Sequence, residues 1–114
     1  MNADTSQLIV KALDGLTARA EATAANIANA ASPGYRPVRV AFEDALRRAV
    51  AQGPAAIAAV RAETLLAATP TYGTEMRVDL ELATASDTAL RYSALLDMLG
   101  RQGAILRSAI AGGR

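Results

Sequence analysis

The chain has no cysteine, no histidine and no tryptophan, and aromatic residues make up only 4% of its 114 residues. Without Cys or His, zinc, iron–sulfur and blue-copper sites lose their usual ligands. The same absence rules out a Ser–His or Cys–His nucleophile pair. General acid–base work is left to carboxylates, Tyr or the single Lys11. No catalytic, cofactor-binding or metal-binding residue is therefore expected. A chain free of Cys tolerates oxidising and reducing compartments alike, so cysteine usage does not choose between them.

Charge of one sign is also lacking. Lys+Arg number 12 and Asp+Glu 11, a net charge of +1, which gives no electrostatic footprint for nucleic acid or an anionic membrane. Long apolar runs are missing too. The longest weakly polar stretch, residues 49–60, is broken by Gln52-Gly53-Pro54 and stops at Arg61, far short of the ~20 apolar residues of a membrane span. Direct membrane insertion is not expected. The start does not read as a secretory signal either: Asn2, Asp4, Ser6 and Gln7 stand where a basic region belongs, and Asp14 interrupts the apolar stretch. Passage out of the cytoplasm would need another route.

What is present is alanine, nearly half of a 52% hydrophobic content. Bulky core side chains are correspondingly few, which suits a thin helical assembly with close backbones better than a thick globule. The length allows one domain. Residues 5–31 read as a helix, because Ile9, Leu13, Leu16, Ala20, Thr23, Ile27 and Ala30 alternate at steps of four and three. Gly15 costs such a helix up to ~1 kcal/mol relative to Ala, which suggests a close contact or local tolerance there. Residues 32–40 read as a turn: Pro33 biases Ser32 away from helical angles, and Pro-Gly suits the central pair of a type II turn.

A short helix is expected over residues 41–52, with Phe42, Leu46 and Val50 on one face. The pairs Glu43–Arg47 and Asp44–Arg48 have the favoured i,i+4 polarity. Residues 53–77 read as a variable, mobile connector with at most one helical piece and a loop at Pro70-Thr71-Tyr72-Gly73-Thr74. Residues 78–111 form the second long helix. There Leu82, Ala85, Ala89, Tyr92, Leu96, Leu99, Leu106 and Ile110 keep the four–three alternation, with Gly103 in one slot. Leu95, Met98, Ile105 and Ala109 run one position back.

The expected fold is all-α, with the two long terminal helices paired as an antiparallel coiled coil. Two stripes exceed what one partner helix covers, since a strict a/d seam is narrow. Either the second helix and connector cover the remainder, or neighbouring subunits do. On the second reading the subunit-packing residues are Ile9, Leu13, Leu16, Ile27, Leu82, Tyr92, Leu95, Leu96, Leu99, Leu106 and Ile110.

Asn26 and Asn29 lie beside the apolar stripe, and each is a poorer helix former than Ala by roughly 0.6 kcal/mol. From spacing alone, solvation near a fraying end or a C-terminal cap by Asn29 outweighs a register-fixing role. The wider segment changes that balance. Ala24-Ala25-Asn26-Ile27-Ala28-Asn29-Ala30-Ala31-Ser32-Pro33-Gly34-Tyr35-Arg36 resembles the N-terminal signature of bacterial flagellar axial proteins, in which Asn-x-x-Asn precedes Pro-Gly-Tyr. Phe42-Glu43-Asp44-Ala45-Leu46, Val78-Asp79-Leu80-Glu81, Leu90-Arg91-Tyr92 and Leu106-Arg107-Ser108-Ala109-Ile110 are similar to the proximal-rod (FlgB-type) branch. Ser32 stands where Thr is common, Thr88 where this branch often has Asn, and Ser93 where Gln is frequent.

The resemblance implies a structural subunit of the flagellar basal body, polymerising helically into the rod that transmits torque across the periplasm and conducts exported subunits. It implies export through the flagellar type III apparatus without a cleaved signal. Its implied partners are itself, other flagellar rod proteins, the FliE-type rod-base adaptor, the membrane ring and the export gate. Asn26, Asn29, Pro33, Gly34 and Tyr35 are the motif residues, with the two amides fixing register across a helix contact and Tyr35 packing on the terminal helices. A cytoplasmic helical adaptor or export chaperone is the competing expectation, and it has no need of the Asn-x-x-Asn…Pro-Gly-Tyr segment.

Overall fold

The first helix, α1, runs from Ala3 to Ala28, beginning two residues earlier and ending three residues earlier than its periodicity suggested. A computed structural model of the chain describes residues 3–67 and 77–112. Within them follow strand β1 (Val38–Ala41), helix α2 (Glu43–Gln52), helix α3 (Pro54–Ala59), strand β2 (Glu63–Leu66) and the long helix α4 (Val78–Gly112). The chain is mostly helical, with two long helices as expected, but it is not all-α. The loop expected at residues 70–74 lies outside the described residues.

β1 and β2 pair antiparallel, Val38 opposite Leu66 and Ala41 opposite Glu63. Pro37 lacks an N–H and holds φ near −65°, so the chain leaves the turn extended rather than helical. The β-branched Val38 and Val40 then favour the pleated geometry. α2 accordingly begins at Glu43, not at residue 41. Four residues are too few for a period of two to stand out from the sequence.

Residues 53–67, expected as connector, form α3 and β2. Gly53, at φ 106°, ends α2, and Pro54 opens α3 at a first-turn position where its missing N–H costs nothing. Lys11 of α1 donates from Nζ to the Val60 carbonyl just past α3, at 3.2 Å.

The other edge of β1 is completed by side chains. The Ala67 N–H donates to the Pro37 carbonyl at 2.8 Å, so Pro37, Arg39 and Ala41 turn their backbone groups toward β2. Val38 and Val40 therefore turn theirs toward α1. Asn26 takes both the N–H and the carbonyl of Val38, and Arg19 takes the carbonyl of Val40. Two side chains of α1 stand in for a third strand.

The core is a small wedge of Leu16, Val40, Phe42, Leu46, Ala49 and Ile57. Val50, expected on the same face as Phe42 and Leu46, is half exposed. The Phe42 ring lies against Gly15, where a Cβ would sit 2.5 Å from two ring carbons. Close contact, then, is why glycine stands mid-helix.

α4 starts beside the end of α1, where Glu81 meets Asn26. At the far end Thr5 and Leu8 share a groove with Leu95 and Met98. At 1.5 Å per residue the 35 residues of α4 outreach the 26 of α1 by about 13 Å. The radius of gyration is 18.0 Å, against about 13 Å for a compact chain of this length. The molecule is a slender rodlet, 67 × 27 × 14 Å.

Candidate functional site

Ser32, Pro33, Gly34 and Tyr35 form the expected turn. The Tyr35 N–H donates to the Ser32 carbonyl at 3.2 Å, and Gly34 has φ 74°, the left-handed value that the third position of a type II turn demands. The turn swings the Tyr35 ring back over the end of α1. Its hydroxyl donates to Asn26 Oδ1 at 3.0 Å.

Asn26 is the centre of the arrangement and is fully buried, at 0% exposure. An amide offers two donors and two acceptor lone pairs, and all four are used. Oδ1 accepts from the Tyr35 hydroxyl and from the Val38 N–H at 2.8 Å. Nδ2 donates to the Val38 carbonyl at 2.9 Å and to Glu81 Oε2 at 3.0 Å. One side chain thus ties together α1, the turn, β1 and α4.

Glu81 is only 2% exposed, and its second oxygen accepts from Arg39 Nη1 at 2.6 Å. A buried carboxylate persists only when paired and hydrogen-bonded, and here Asn26 and Arg39 supply both conditions. An acid in the first turn of a helix is ordinarily accounted for by the helix dipole and solvation. Glu81 differs, because its partners lie on elements far away in sequence. Asn29 is local instead: its Nδ2 donates to the Ala25 carbonyl at 2.9 Å and its Oδ1 accepts from Ser32 Oγ at 3.3 Å. It caps the end of α1 and reaches no other element.

A second polar joint lies two turns away on α1. Arg19 grips Glu43 with two bonds of 2.7 Å, donates to the Val40 carbonyl at 2.8 Å, and stacks 4.9 Å above the Phe42 ring. Glu43 therefore does not pair with Arg47 as expected. A guanidinium fork matches a carboxylate better than an exposed i,i+4 contact does. Arg47 turns to Asp44, and Arg91 pairs with Asp87 inside the chain.

The Arg19 hydrogen bonds hold the Glu43 carboxyl well below its ordinary 4.5, at about 2. A depressed folded-state value stabilises the fold at pH above the unfolded value and loses that contribution as pH falls from 4.5 toward 2. The Glu43 side chain is 41% exposed, so solvent screening leaves on the order of 1 kcal/mol. Urea titrations at pH 6 and pH 3 should show this loss in the native chain. In Glu43→Gln the loss between those two pH values should shrink by a similar amount.

The proposed packing residues divide by position. Ile9, Leu13 and Leu16 are buried by the chain's own elements. Ile27, Leu95 and Leu99 are half-buried. Leu82, Tyr92, Leu96, Leu106 and Ile110 are exposed. A groove of about 680 Å³ opens between α1, α2 and α4 over Leu8, Ile9, Phe42 and Leu95, and a second of about 500 Å³ follows the seam of α1 and α4. Its lining includes Thr88, 3% exposed, whose hydroxyl has no hydrogen-bond partner among the described residues. That orphan sits where the family resemblance departs from Asn.

Every polar atom of the Asn26 amide is engaged, which suits it to holding elements in place rather than to reacting. Among the described residues no group of His, Cys, Asp or Glu is placed to hold a metal ion, and no helix is long and apolar enough to cross a membrane. No protein-family model and no curated protein matches the chain.

Proposed function

We propose that this chain is a structural subunit of the bacterial flagellar proximal rod, of the FlgB type, and that it works by packing rather than by catalysis. On this reading α1 and α4 pair as an antiparallel coiled coil, and their uncovered faces pack on sister subunits in a helical polymer. That polymer transmits torque across the periplasm and conducts exported subunits. Other rod proteins, the FliE-type adaptor, the membrane ring and the export gate are its neighbours, and the type III apparatus delivers it.

The observation that carries the reading is Asn26. The residues through which the sequence resembles flagellar axial proteins, Asn26 and Tyr35, are joined to each other and to β1 and α4 in one buried cluster. A motif with this mechanical role makes sense in a part that must be stiff. The exposed Leu82, Leu96, Leu106 and Ile110 give the same reading a surface to bury.

The test is genetic and structural. Deleting the gene in a bacterium that carries it should leave membrane rings without rods, and electron microscopy of isolated basal bodies reads this directly. Complete rods in the deletion strain would reject the assignment.

A further inference from the structure

The last turns of α4 extend past α1, and there Leu106 and Ile110 are 60% and 70% exposed. With Leu99 and Gly103 they form one ridge at steps of four, three and four. The 500 Å³ groove lies near the opposite end of the molecule, over Ala20, Ala24, Ala85 and Ala89. Ridge and groove match in length, since residues 99–110 and residues 16–27 each span about 17 Å of helix. They match in shape as well: the four alanines leave a shallow floor between the bulkier Leu16, Ile27 and Tyr92, and Leu106 and Ile110 supply side chains to fill it. Gly103 presents only the flexible Arg107 guanidinium beside it.

They match in charge. Glu21 rims the groove and makes no ion pair among the described residues, whereas Asp14, two turns earlier on α1, lines a different pocket with Lys11 and Arg61. Arg107 flanks the ridge and is likewise without an ion-pair partner there. The charged residues of the larger groove, Glu43, Arg47 and Arg91, are each already held in an ion pair, so that groove offers Arg107 no free carboxylate. The smaller one also holds the unpartnered Thr88 hydroxyl.

α4 is one continuous helix, so its end cannot fold back onto its own first half. We propose that the C-terminal end of α4 docks in the α1–α4 groove of a second copy, with Arg107 meeting Glu21 at its rim. The contact joins two different patches of the same chain, so it is head-to-tail and leaves a free ridge and a free groove at every step. This names the contact within the polymer proposed above and rests on that reading.

Sedimentation of the full chain over a concentration series tests it. Association should rise with concentration and weaken with salt, because a charge pair steers it. Leu106→Asp with Ile110→Asp should weaken association by about 100-fold, as should Glu21→Arg. Combining Glu21→Arg with Arg107→Glu should restore much of it. All these positions are exposed, and far-UV circular dichroism on each variant confirms that it is folded.

Mixing the ridge variant with the Glu21→Arg variant gives the sharpest result. One intact ridge and one intact groove remain, so a 1:1 complex should form and go no further. A monomer at every concentration, or no restoration by the charge swap, or no 1:1 complex on mixing, would overturn the docking. Polymers indifferent to all these variants would reject this contact while leaving the rod assignment standing.

Discussion

Asn26→Ala is expected to lower the unfolding free energy by roughly 3–5 kcal/mol, a large fraction of the ~5–15 kcal/mol that holds a domain folded. The substitution strips partners from the Val38 N–H and carbonyl and from the Tyr35 hydroxyl, and leaves Glu81 with Arg39 alone. Each buried polar group left without a partner costs about 1–3 kcal/mol. Against this, Ala gains roughly 0.6 kcal/mol of helix propensity, far too little to compensate. Asn26→Asp sharpens the test. It keeps the two acceptors, but in place of the donor it sets a carboxylate against Glu81 and the Val38 carbonyl. It should be at least as harmful at neutral pH and recover partly in mild acid, where the new carboxyl gains a proton. Asn29→Ala should cost under about 1 kcal/mol, because its bonds are local and exposed. Urea midpoints followed by circular dichroism rank the three. Equal effects of Asn26→Ala and Asn29→Ala would contradict the clasp.

The features legible in the sequence were those that a residue type enforces by itself. Pro33-Gly34 dictates a turn because one residue fixes φ and the other tolerates φ of 74°. The long helices follow from periodicities that span many turns. Elements set by distant partners were not legible. β2 has all four residues exposed and no alternation; it is a strand because β1 lies alongside it. Glu81 looked like a dipole-complementing acid, and only the approach of Asn26 and Arg39 makes it a buried anchor. Glu43 had a plausible local partner in Arg47 and took a better one in Arg19. The candidate site was half visible for the same reason: the motif marked Asn26 and Tyr35, Glu81 stood in a segment of the resemblance with no sign of its partners, and nothing local marked Val38 or Arg39.

Gly15→Ala should destabilise the fold although it is a helix-favouring change. In an open helix position Ala is better than Gly by up to ~1 kcal/mol. Here the added methyl would stand 2.5–2.7 Å from three carbons of the Phe42 ring. Something must shift, and the ring is poorly placed to do so. Phe42 is 6% exposed, packed in the wedge with Leu16 and Leu46, and its face carries the Arg19 guanidinium. Overpacking of this kind costs about 1–3 kcal/mol, and displacing the ring also loosens the Arg19–Glu43 joint. A net loss of roughly 2 kcal/mol is expected, read as a lower urea midpoint at unchanged slope. The compensating pair separates contact from propensity. In a Phe42→Leu background, itself weakened by the smaller side chain, the same Gly15→Ala change meets no ring and should become neutral or stabilising. A double-mutant cycle over the two positions therefore gives a coupling of about 1–3 kcal/mol. If Gly15→Ala stabilised the native chain, Phe42 would have room to yield, and the wedge between α1 and α2 would be looser than its geometry shows.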